Sequence, residues 1–124
     1  GDENVLRKSS VYVHEHAVMC CSWSPDGKII ASSSIDGSIA LWRVDDGRLL
    51  QRFSAFKGSI TDDVSPAVSS VEFSKDGRKL AAVSFDGYVG IWSISRAEDL
   101  KKIIIRDLGF SLKMLEDSII SAML

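Results

Sequence analysis

The sequence predicts an all-β fold: two four-stranded antiparallel units followed by a short C-terminal α-helix. Three observations predict it. The stretch over residues 24–42, SPDGKIIASSSIDGSIALW, returns fifty positions later as SKDGRKLAAVSFDGYVGIW over residues 74–92, and a fixed period sets an architecture before any single residue does. Each copy carries two Asp-Gly pairs, Asp26-Gly27 with Asp36-Gly37 and then Asp76-Gly77 with Asp86-Gly87. Such pairs favour tight reversals, because glycine takes positive φ at no steric cost. The runs between the turns are short and rich in β-branched and aromatic residues, which is strand composition.

The elements follow in order. VLRKSSVYV at 5–13 can supply the outer strand of one unit. VMCCSW (18–23), KIIASSS (28–34) and SIALWRV (38–44) read as three strands of a meander. Asp45-Asp46-Gly47-Arg48 then turns the chain into LLQRF at 49–53, the outer strand of the next unit. The insertion KGSITDDVSP at 57–66 is polar and turn-rich, hence an exposed loop. VSSVEF (68–73), RKLAAVS (78–84) and YVGIWSI (88–94) repeat the meander. LKKIII at 100–105 takes the place of LLQRF and its β-branched run favours a strand, although Ser95 with Glu98 also forms a capping box that would start a helix. After Gly109, Leu112, Leu115, Ile119 and Met123 recur at helical spacing behind Ser111 as N-cap. The division is therefore residues 1–105 for the two repeats, at about 14–56 and 64–105, and 106–124 for a linker and an amphipathic helix.

These motifs resemble the WD-repeat family of β-propellers. Its repeat runs from a Gly-His pair through S-P-D-G-K and an S-x-D-G turn to a Trp-Asp pair. The matches are His16, Ser24 to Lys28, Ser34-x-Asp36-Gly37 and Trp42, with Glu15 in place of the glycine and Arg43 and Ser93 in place of the final aspartates. The resemblance implies a propeller segment of two four-stranded blades. It also implies a hydrogen-bonded clamp in each blade, carried onto His16, Ser34, Asp36 and Trp42 in the first. Only Ser84, Asp86 and Trp92 remain in the second, where Pro66 stands opposite His16. Propellers close with about four to eight blades, so two blades leave apolar walls uncovered. The isolated chain is expected to oligomerise, to pair with a partner, or to belong to a larger propeller.

Composition excludes several functions. A net charge of −2 and scattered basic residues give no footprint for nucleic acid, and no apolar run reaches a membrane span. Cys20 and Cys21 are adjacent and would point to opposite faces of a strand, so reduced thiols in a cytoplasmic or nuclear protein are expected. His14 and His16 show no zinc spacing, so neither metal nor cofactor is expected. Asp, His and Ser occur together but without a nucleophile elbow or oxyanion loop, so the chain is not expected to be an enzyme. What the resemblance implies instead is a scaffold for protein partners, bound at the end where the loops entering the first strands meet the Asp36 and Asp86 turns. Ala17, Met19 and Ile35 in one blade and Ala67, Ser69 and Phe85 in the other are the candidate contacts. Asp62 and Asp63 of the insertion are candidates for a basic peptide.

Overall fold

A computed structural model describes residues 14–56, 66–96, 102–108 and 112–113. The strand expected at 5–13, the acidic pair Asp62 and Asp63, and the body of the C-terminal helix lie outside the described residues. Two antiparallel sheets are formed. The first has the order β1 (Val18–Trp23), β2 (Ile29–Ser34), β3 (Ser38–Arg43), β4 (Leu49–Ser54), and the second the order β5 (Val68–Phe73), β6 (Lys79–Ser84), β7 (Tyr88–Arg96), β8 (Ile103–Asp107). A two-residue strand, β9 (Leu112–Lys113), also pairs with β7.

Turn chemistry fixes the meanders. Gly27 and Gly77 both sit at φ 72°, while Gly37 and Gly87 sit at φ 86° and 89°, all in the left-handed region that glycine tolerates. Period-2 alternation then gives each sheet two faces. The face of blade one bearing Ile29, Ala31, Ile39 and Leu41 packs on the face of blade two bearing Leu80, Ala82 and Trp92, and Phe56, Val71 and Phe73 join this common core. Each fully buried aliphatic side chain there stabilises by about 1.5–3 kcal/mol. Strands β1 and β5 lie side by side at the junction, where Cys20 Sγ donates to the Val71 carbonyl at 3.8 Å and Phe73 N–H donates to Ser22 Oγ at 3.4 Å. At one end of the junction Arg96 Nη1 stands 2.8 Å from Asp26 Oδ2, which ties the end of β7 in one blade to the first turn of the other.

The period of fifty breaks at the outer strands. Trp42 pairs with Leu49, but Trp92 pairs with Asp107. Strand β7 runs on to Arg96, so its partner begins later, at Ile103. The strand expected at 100–105 is therefore present but displaced along the chain. The helix expected from Leu112 is corrected at its start: Leu112 and Lys113 are extended and pair with Val89 and Tyr88. Beyond Asp107, β8 no longer supplies partners to β7. The open backbone groups of Tyr88 and Val89 then capture the next segment that reaches them. Among the described residues there is no helix.

The two outer walls differ from the expectation that both stand open. Cross-strand pairing puts Trp23, Ile30 and Trp42 on one face of blade one, and Trp23 there is 57% exposed. Its counterpart in blade two, Phe73 on the face with Leu80 and Trp92, is 7% exposed because blade one covers it. On the opposite face of blade two Ala81, Val83, Val89 and Ile91 are buried, while Ile104 of β8, paired with Ser95, is 54% exposed.

Candidate functional site

The clamp forms, but on other residues than the sequence suggested. It is built on His14, not His16, and on Ser32, not Ser34. His14 precedes β1 by a full bend, which swings its ring back between β2 and β3. His16 stands two residues before β1 and is exposed, and among the described residues it bonds through its carbonyl, as acceptor for Ser34 Oγ at 3.3 Å. Ser34 holds the loop instead, donating to the Ala17 carbonyl at 2.9 Å and accepting the Asp36 N–H at 3.2 Å. The count of residues between the histidine and β1 was the available signal, since a side chain needs that bend to reach the second strand.

The order of donors in the clamp can be derived. An ionised carboxylate only accepts, so the Ser38 hydroxyl donates to Asp36 Oδ1 at 2.5 Å. Its oxygen then accepts from His14 Nδ1 at 2.6 Å. With the proton on Nδ1, Nε2 of the neutral ring accepts from the Ser32 hydroxyl at 2.7 Å. Ser32 Oγ in turn accepts the Trp42 indole N–H at 3.0 Å. A single directed chain thus runs from Trp42 on β3 to Asp36 in the turn. Asp36 also accepts the N–H groups of Ser38 at 2.8 Å and Glu15 at 2.7 Å, with Arg52 at 3.5 Å. The side chains of His14 and Asp36 are 4% and 5% exposed.

Burial lowers the His14 pKa, outweighing the nearby Asp36 carboxylate that acts to raise it; Arg52 lowers it further. Burial alone would raise the Asp36 pKa, but the bonds from Ser38 and Glu15 outweigh it and hold the carboxyl far below its usual range. The bonds run among residues of the blade itself. The arrangement locks a turn onto two strands.

In blade two the same positions are brought together without the same bonds. Ala82 replaces Ser32 and Tyr88 replaces Ser38. Ser84 Oγ accepts the Tyr88 N–H at 3.0 Å, and among the described residues nothing bonds the Asp86 carboxylate. Trp92 is packed rather than clamped. Its ring meets Phe53 edge-on at 5.3 Å between centroids and lies 6.1 Å from Phe56. A Cβ at Gly90 would come within 2.4 Å of the indole.

Of the candidate partner contacts, Ala17, Met19, Ile35 and Phe85 are exposed, the last three at 40%, 44% and 60%. Ala67 and Ser69 are half-buried, and Ser69 Oγ donates to the Val83 carbonyl at 3.2 Å. The turns are set by matching bonds, Ile35 N–H to the Ala17 carbonyl at 3.0 Å and Phe85 N–H to the Ala67 carbonyl at 3.1 Å. Val18, 57% exposed, lies beside Met19 and was missed from the sequence because the bulge between Val18 and Cys20 breaks the alternation.

Four-stranded meanders stacked face to face, each held by an S-x-D-G turn, define a propeller-type repeat module. The chain belongs to the WD40 family: the family model for the WD domain, G-beta repeat, matches residues 7–43 and 47–93, more than half of its length. It is 40% identical over 58 residues to the human WD repeat, SAM and U-box domain-containing protein 1, covering 47% of this chain and 12% of that protein. It is 36% identical over 55 residues to the U5 small nuclear ribonucleoprotein 40 kDa protein of Pongo abelii, covering 44% of this chain and 15% of the relative. Among solved structures it resembles the WD40 repeats of RRP9, with a TM-score of 0.57 and 25% identity over 81% of this chain and 29% of that one. The chain thus spans less than a third of each of these three proteins. The repeats and the fold are those of a protein-interaction scaffold, and among the described residues no helix is long and apolar enough to cross a membrane.

Proposed function

We propose that the two blades form part of a larger propeller that presents a protein-binding face and carries no catalysis of its own. The observation that carries this is the exposure of Met19, Ile35 and Phe85 on the loop and turn side of the sheets, away from the common core. Large apolar side chains held out by a rigid turn are anchors for a partner surface. The exposed Trp23 beside Ile30 and Trp42 supports membership of a larger propeller, since the equivalent row in blade two is where a blade packs. The proposed setting is cytoplasmic or nuclear, in keeping with free Cys20 and Cys21.

The test is quantitative affinity capture with the wild-type chain and a Met19→Ala, Ile35→Ala, Phe85→Ala variant. The expected result is loss of specific partners from the variant with an unchanged melting temperature. Retention of the same partners at the same yield would overturn the assignment of this face.

A further inference from the structure

The two D-G turns at the partner-facing end share one backbone and differ in what they do with their carboxylates. Gly37 and Gly87 N–H donate to the Ser34 and Ser84 carbonyls, each at 3.1 Å, and both glycines hold nearly the same φ, 86° and 89°. In blade one the Asp36 carboxylate is consumed by Ser38, Glu15 and Arg52 and is 5% exposed. In blade two the residue that follows the glycine is Tyr88, which has no hydroxyl at the Ser38 position, and its N–H goes to Ser84 Oγ instead. Asp86 is exposed and among the described residues has neither a hydrogen-bond donor nor a cation. The turn therefore closes without the carboxylate. Immediately before it stands Phe85, 60% exposed, against 44% for its counterpart Ile35.

We propose that the Phe85-Asp86-Gly87 turn is a recognition site for a lysine or arginine side chain on a protein partner, a reading that rests on the scaffold function above. Both exposed groups select the same ligand. The face of an aromatic ring attracts a cation and packs against its aliphatic stem, while an unpaired carboxylate forms charge-assisted bonds to the head group. Arginine fits better than lysine, since its planar guanidinium can stack on the ring and fork onto both carboxylate oxygens. The Ile35 turn offers neither group. It is left to contact apolar surface, so the two blades read different chemistry at the same end of the molecule.

The experiment titrates the 15N-labelled chain with N-acetyl-arginine amide and with its neutral isostere, N-acetyl-citrulline amide, and follows backbone amide shifts. The arginine compound is expected to move the amides of residues 85–88 saturably in the millimolar range, with citrulline at least tenfold weaker. The amides of residues 35–38 should stay still. Asp86→Asn keeps a turn-compatible side chain and removes the charge, so it should reduce the arginine response to the citrulline level. Phe85→Leu should weaken it about threefold. Equal responses to the two compounds, which are compared on the wild-type chain, would overturn the proposal, and so would an undiminished response in Asp86→Asn. If the cation site fails while partner capture still depends on Met19 and Ile35, the scaffold reading stands and this one falls.

Discussion

The two blades agree at one end and diverge at the other. At the turns over 24–27 and 74–77, Ser24 Oγ donates to Asp26 at 2.7 Å and Ser74 Oγ to Asp76 at 2.6 Å. The N–H groups of Ile29 and Lys79 both reach the respective serine at 3.0 Å. Six consecutive residues write that structure, and a copy of the residues copies the bonds. The opposite end depends on His14, Ser32, Asp36, Ser38 and Trp42, drawn from a loop, two strands and a turn. Replacement of Ser32 and Ser38 by Ala82 and Tyr88 removes the network from blade two, and apolar packing takes its place. Ala82 joins the core, and Trp92 is wedged between Phe53 and Gly90. Local motifs survive duplication residue by residue, whereas a distributed polar network survives only whole.

The sharpest way to break this comparison is to remove each turn aspartate. Asp36→Ala removes the acceptor of the buried Ser38 hydroxyl and N–H and of the Glu15 N–H, and leaves the His14–Ser38 pair without its anchor; it should cost about 3 kcal/mol. Asp86→Ala removes an exposed carboxylate with no bonds among the described residues, and should lie within about 0.5 kcal/mol of wild type. Denaturant unfolding of both variants measures the contrast. Equal losses would mean that the blades are clamped alike.

The next largest effect tests the packing solution. Gly90→Ala places a Cβ 2.4 Å from the indole of Trp92, which Phe53 and Phe56 prevent from retreating. Overpacking of this kind should cost about 1–3 kcal/mol. The mirror substitution, Ala40→Gly in blade one, should cost only about 0.5–1 kcal/mol through chain entropy. A Gly90→Ala chain as stable as wild type would show that Trp92 has room to move.

The contrast also explains what the sequence revealed. The meanders and turn types were legible because alternation and Asp-Gly pairs act within a few residues, and all seven strand runs between residues 18 and 94 begin within one residue of where their patterns put them. The blade pairing followed from the repeat. The clamp histidine was not legible by motif alone, because His14 and His16 flank Glu15 and only the path of the bend decides which ring faces inward. Nor was the outer strand of blade two, whose place depends on how far β7 extends. Leu112 carries a helical pattern, yet an unpaired edge on β7 is a tertiary demand that local periodicity does not record.

The smallest predicted effect isolates the clamp by pH. The chain has two histidines, His14 and His16, so they are the side chains whose ordinary range falls between pH 5 and 7. Burial depresses the His14 pKa in the folded state. A depressed histidine binds fewer protons folded than unfolded, so its contribution is fully present above about 6.5, the unfolded value, and is lost as pH falls toward the folded one. Stability should therefore decline on acidification from pH 7 to 5, with a slope that for one proton cannot exceed about 1.4 kcal/mol per pH unit. His14→Gln should lower stability at pH 7 by about 1 kcal/mol, since the amide keeps some of the bonds, and should flatten the slope. His16→Gln, on an exposed side chain, should leave stability at pH 7 unchanged. Urea melts of the three chains at pH 5, 6 and 7 provide the measurement. A slope that survives His14→Gln would place the titrating group outside the clamp and would end the claim that a neutral imidazole bridges Ser32 and Ser38.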